Sequence, residues 1–114
     1  AISLPLCGDQ NLQPGQAITK ILRDDVCPFF FNGDGGDLVT LRMDAVASGV
    51  DPVISLLDPD GREEAYDDDS GGNGNSLIEG HRLLRSGRYE VRAQSYGESE
   101  GEFSLLLELA PGGG

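Results

Sequence analysis

A chain of 114 residues is long enough for one compact domain and too short for two ordinary ones. Its 20 acidic against 8 basic residues give a net charge of −12, a field that repels phosphate backbones and anionic headgroups; it disfavours nucleic acid and membrane surfaces as partners and favours cations. The 17 glycines and 6 prolines interrupt the sequence too often for long helices, and no apolar run approaches the ~20 residues of a membrane span.

The N-terminal stretch carries both cysteines, Cys7 and Cys27, on either side of residues 8–26. A bridge between them would close a loop worth about 3 kcal/mol by chain entropy and tie the N-terminal segment to a strand beginning near Pro28. It would also place the protein in an oxidising compartment; the alternative is two buried thiols in a reducing one. The segments QAITKIL (16–22) and PFFF (28–31) read as the first strands. In LVTLRMDA (38–45), Val39, Leu41, Met43 and Ala45 alternate with Thr40, Arg42 and Asp44, the period of a half-buried strand. VISLLDPDGREEAY (53–66) is a strand, a turn and a second strand. Asp58-Pro59-Asp60-Gly61 sets Pro at the second and Gly at the fourth position, as a type I turn prefers. SLIEGHRLL (76–84) fits an irregular strand better than a helix broken at Gly80.

In RYEVRAQS (88–95) Tyr89, Val91, Ala93 and Ser95 fall on one side of a half-buried strand, and in EFSLLLEL (102–109) Phe103, Leu105, Leu107 and Leu109 point one way. The polar YGESEGE between them predicts an antiparallel hairpin. About eight short strands with no helix argue for an all-β sandwich or barrel. Residues 1–110 then form a single domain, and 111–114 (PGGG) read as a linker or tail through which the chain continues into a larger protein.

Little in this pattern supports catalysis. His81 is the single histidine and reads as a surface or edge residue; there is no Gly-x-Ser-x-Gly elbow, and neither cysteine sits in a nucleophile context. GGNGNS (71–76) lacks the lysine of a phosphate loop. Calcium is the remaining chemical candidate, because a hard cation takes six to eight oxygens and the chain clusters Asp and Asn side chains in turns. Asp34 and Asp37 flank two glycines in NGDGGD. Asp67, Asp68 and Asp69 precede Asn73 and Asn75 and form the weaker cluster, for which a solvated turn is the simpler reading.

Taken in order, GDGGDLVTLRM, then DPVISLLDPDGREEAYDDDSGGNGNSLIE, then LLRSGRYEVRAQSYGESEGEFSLLLEL resembles the bacterial pre-peptidase C-terminal domain, related to the collagen-binding domains of clostridial collagenases, over residues 33–109. The resemblance implies an antiparallel, jelly-roll-like β-sandwich appended to extracellular peptidases and surface proteins, without catalytic activity of its own. It also implies that Asp34 and Asp37 help ligate calcium together with an acidic N-terminal linker. The Glu-Pro-Asn motif typical of that linker is missing here; Asp9, Asp24 and Asp25 are the oxygen donors on offer, and the cysteine pair takes the place of the motif. A ligand face of the collagen-binding kind would need exposed aromatics, for which Tyr66 and Tyr96 are the candidates.

The sequence therefore predicts a secreted or cell-surface accessory module, not an enzyme, acting in targeting, adhesion or maturation of a larger protein. Its expected partners are the parent protein's own domains and an extracellular protein or polysaccharide. The alternative is a calcium-dependent carbohydrate- or protein-binding module.

Overall fold

The computed structural model describes residues 10–22, 26–46, 51–68, 75–95 and 101–111. Among these residues nine strands follow in chain order: β1 (Gln10–Asn11), β2 (Ile18–Leu22), β3 (Cys27–Gly33), β4 (Leu38–Ala45), β5 (Pro52–Leu57), β6 (Glu63–Asp67), β7 (Ser76–Arg82), β8 (Gly87–Ser95) and β9 (Gly101–Ala110). One sheet has the order β2-β9-β4-β7 and is antiparallel throughout; the other has the order β3-β8-β5-β6, also antiparallel, with the two-residue β1 added in parallel beside β3. Setting β1 aside, the first sheet takes the first, eighth, third and sixth strands and the second takes the second, seventh, fourth and fifth. That is the jelly-roll order.

This order corrects the reading of the last two strands. β8 and β9 lie in different sheets, so they do not pair with each other and form no hairpin. Alternation reports that a strand has one buried face; it does not report which sheet the strand belongs to, and two central strands facing each other across a core carry the same pattern as two neighbours. The tight turn at Asp58–Gly61 does close a hairpin. The Gly61 N–H donates to the Asp58 carbonyl at 2.9 Å, and β5 pairs with β6 on either side of it.

The core lies between the sheets. Phe29, Val91, Leu56 and Ala65 form one inward row across β3, β8, β5 and β6, and Ile18, Leu105 and Met43 form another across β2, β9 and β4. Phe29 and Phe103 meet across the interior, edge to face, with ring centroids 6.3 Å apart. Phe31 and Tyr89, paired in register on β3 and β8, stack with centroids at 5.5 Å. β5 departs from simple alternation: every residue of this central strand from Pro52 to Leu57 is buried, the polar Ser55 included.

Both open sides of the sandwich are tied. On one, the connector after β1 donates Leu12 N–H to the Phe30 carbonyl and Gly15 N–H to the Leu107 carbonyl, reaching one sheet and then the other. On the other, the edge strands β6 and β7 are joined by side chains. β7 is irregular as expected: its register with β4 shifts between Val39 and Leu41, and Gly80 takes a positive φ of 62°.

Candidate functional site

Side chains that join β6 to β7 also form a polar cluster inside the protein. Glu64 sits on the edge strand β6, yet its side chain is only 3% exposed, and Oε1 lies 2.9 Å from Nε2 of His81 on β7. The other carboxylate oxygen, Oε2, lies 3.1 Å from the Tyr89 hydroxyl. That hydroxyl also lies 2.8 Å from the Arg85 carbonyl and accepts the Arg85 N–H at 3.1 Å. A buried carboxylate is costly unless both oxygens find partners, and here one partner comes from each sheet. Chemically the arrangement is a stitch between sheet edges, with Tyr89 clamping the β7–β8 connection from beneath.

Burial holds the Tyr89 hydroxyl above its ordinary value near 10; its hydrogen bond with Arg85 opposes that shift, and the Glu64 carboxylate beside it adds to it. A tyrosine whose folded value is raised keeps its proton in the native state after the unfolded chain has lost it. Stability is therefore complete below about pH 10 and lost as pH rises through the folded value. Denaturant titrations should show a midpoint falling above pH 10, and the fall should be shallower in Tyr89→Phe; identical alkaline profiles would show that Tyr89 does not contribute.

The predicted calcium positions separate into two places. Asp34 and Asp37 end one tight turn: the Asp37 N–H donates to the Asp34 carbonyl at 3.0 Å, and Oδ2 of Asp37 accepts the Asp34 N–H at 3.1 Å. Gly36 between them has φ 95°, a backbone region that a side chain resists. Asp67 belongs to the far end of the sandwich. Register places it in one row with Ile54, Ala93 and Cys27, whereas Gly33 beside the first turn pairs with Gly87, six residues along β3 and ~20 Å away. Oδ2 of Asp67 accepts the Leu77 N–H at 2.8 Å, a second stitch between β6 and β7. Asp68 follows at the end of β6 and is half-buried, and Asp69 lies outside the described residues. Among the described residues no three His, Cys, Asp or Glu side chains group as a cation site. Calcium at Asp34 and Asp37 would thus need donors from elsewhere; Asp9, Asp24 and Asp25 lie outside the described residues.

Cys27 opens β3 with 1% exposure, and no cysteine among the described residues is free; Cys7 lies outside them. Tyr66 is 52% exposed on the outer face of its sheet, in the row of Ser55, Arg92 and Pro28, while Tyr96 lies outside the described residues. His81 is at an edge, as its sequence context suggested, but its pairing with Glu64 was not legible. The two are 17 positions apart and meet only because β6 and β7 edge different sheets.

No protein-family model matches the chain, and no curated protein matches it in sequence. In fold it is similar to the pre-peptidase C-terminal domain of collagenase from Bacillus anthracis, with a TM-score of 0.73 and 13% identity over 94% of this chain and 100% of that one. It is also similar to PliG, a periplasmic inhibitor of g-type lysozyme, from Aeromonas hydrophila (TM-score 0.64, 14% identity, 90% of this chain and 100% of that one). PliG from Salmonella Typhimurium gives a TM-score of 0.63 and 17% identity over 90% of this chain and 98% of that one. At these identities the likeness is one of fold: the chain is a jelly-roll sandwich built like a pre-peptidase C-terminal domain and like two periplasmic lysozyme inhibitors.

Proposed function

We propose that the chain is a pre-peptidase C-terminal-like accessory module of a larger secreted or cell-surface protein, without catalytic activity, acting in targeting, adhesion or maturation. The observation that carries this reading is the likeness, along nearly the whole chain, to a domain that is itself one part of a collagenase. The ordered motifs support it. The Gly-Asp-Gly-Gly-Asp turn leads into β4, Asp-Pro-Asp-Gly joins β5 to β6, and the Gly-x-Tyr-x-Val and Gly-x-Phe-x-Leu segments open β8 and β9 with their aromatics inward. The reading includes a Cys7–Cys27 bridge, for which buried Cys27 is one half, and partners among the parent protein's domains or an extracellular protein or polysaccharide. Deleting the module from its parent protein should reduce the amount exported or held at the surface and leave the specific activity of the remainder unchanged. Loss of that activity with unaltered localisation would overturn the proposal.

The calcium-dependent form of this reading places the ion at Asp34 and Asp37, which one turn holds together. A cation bound only by the native state raises the melting temperature by mass action. Melts in calcium should then exceed melts in chelator by several degrees under non-reducing conditions, and Asp34→Asn with Asp37→Asn should abolish the difference. Superimposable melts of the unmodified protein would rule the ion out.

A further inference from the structure

The turn that carries Asp34 and Asp37 leaves the sheet of β3 and enters the sheet of β4. The connection between β7 and β8 crosses in the opposite sense at the same tip of the sandwich, because Gly33 pairs with Gly87 in one sheet and Leu38 with Arg82 in the other. Two crossings that begin and end side by side are placed to bond each other. Leu83 donates its N–H to the Asp37 carbonyl, and its own carbonyl accepts the Gly36 N–H, both at 2.8 Å. The Ser86 hydroxyl accepts the Gly35 N–H at 2.8 Å. With the Asp34 N–H on Oδ2 of Asp37 and the Asp37 N–H on the Asp34 carbonyl, all four backbone donors from 34 to 37 have acceptors.

Packing joins the same two segments. Leu83 is buried, and a Cβ on Gly33 would run into its Cδ1. A Cβ on Gly35 would stand 3.5 Å from the carbonyl carbon of Arg85, so the turn lies directly on the backbone of the connection. That backbone is held in turn by the Tyr89 hydroxyl, which binds both the N–H and the carbonyl of Arg85. In NGDGGD, Gly33 thus leaves room for Leu83 and Gly35 allows the close approach to Arg85.

We infer that the two crossings form one clasp, with Leu83 and Ser86 as its positioning residues, and that the clasp shapes the Asp34–Asp37 turn without an ion. Each donor of the turn already meets a fixed acceptor, and Asp37 commits one carboxylate oxygen to the turn itself. A cation that binds there meets a turn already formed and adds stability by mass action alone. Only the standing of this turn as a cation site rests on the calcium-dependent reading; the clasp stands on its hydrogen bonds and packing.

The test is amide hydrogen exchange of the isotope-labelled domain in chelator, repeated in calcium. The Gly35, Gly36 and Leu83 amides should be protected in chelator. Ser86 is exposed, so Ser86→Ala leaves the fold intact; it should lower protection at Gly35 by about tenfold or more, while Ser86→Thr, which keeps the hydroxyl, should retain it. Gly33→Ala should displace Leu83 and lower protection at Gly36 and Leu83 together, with the amides of Leu41 and Leu105 in the core strands serving as the check that the sandwich persists. The clasp is refuted if these three amides exchange freely in chelator and gain protection only in calcium, or if Ser86→Ala leaves Gly35 as protected as before. Superimposable melts with and without calcium end the calcium-dependent reading and leave the clasp standing; free exchange in chelator ends the clasp whatever the melts return.

Discussion

Replacing Phe103 by alanine is expected to lower the free energy of unfolding by about 3–5 kcal/mol, a large share of the ~5–15 kcal/mol available to a domain of this size. Phe103 is fully buried on β9, flanked in register by Lys20 on β2 and Ala45 on β4, and its ring meets that of Phe29 at 77° across the sandwich. The substitution therefore removes apolar area and opens a cavity at the contact that joins the two sheets. Leu106→Ala, on the outer face of the same strand and only half-buried, should cost well under half as much. A double-mutant cycle of Phe29→Ala with Phe103→Ala should return a coupling of about 0.5–1.5 kcal/mol, because the aromatic pair contributes beyond its area. Urea unfolding followed by far-ultraviolet circular dichroism supplies all of these values. Equal costs for Phe103→Ala and Leu106→Ala would place β9 the wrong way round in its sheet.

The strands and their inward residues were legible because each strand buries one face, and burial writes itself into the sequence at a period of two. Val39, Leu41 and Met43 on β4, Tyr89, Val91 and Ala93 on β8, and Phe103, Leu105 and Leu107 on β9 all face the core as their alternation predicted. The Asp58–Gly61 turn was legible from local chemistry alone. The jelly-roll order followed from the family resemblance, since no single segment records whether the next strand joins its own sheet or the opposite one. Taken as a period alone, β8 and β9 looked like a hairpin. The polar cluster was out of reach for a related reason. Glu64 stands in REEAYDDD, a stretch that looks like a solvated edge, and nothing in its neighbours signals that it turns inward to His81 and Tyr89. Asp67 read as a calcium candidate from the same stretch, and its carboxylate serves the Leu77 N–H on the opposing edge strand.

Tyr89→Phe isolates that cluster, because it keeps the ring stacked on Phe31 and removes only the hydroxyl. The change leaves the Arg85 N–H, the Arg85 carbonyl and Oε2 of Glu64 each short of a partner. Net loss of a neutral hydrogen bond is worth about 1 kcal/mol, but stranding a buried acceptor raises the cost, and about 1–3 kcal/mol is expected. A tyrosine serving only as apolar core would lose almost nothing on the same substitution. Glu64→Gln keeps the shape of the acceptor and removes its charge, so in the double variant part of the Tyr89→Phe cost is already spent. The two costs should fall short of adding by about 0.5 kcal/mol or more. Hydrogen exchange offers a second readout at the tip: the Arg85 amide should lose protection in Tyr89→Phe while the Leu83 amide, bonded to the Asp37 carbonyl, keeps it. A Tyr89→Phe variant as stable as the parent, with Arg85 still protected, would mean that the hydroxyl does not hold the loop.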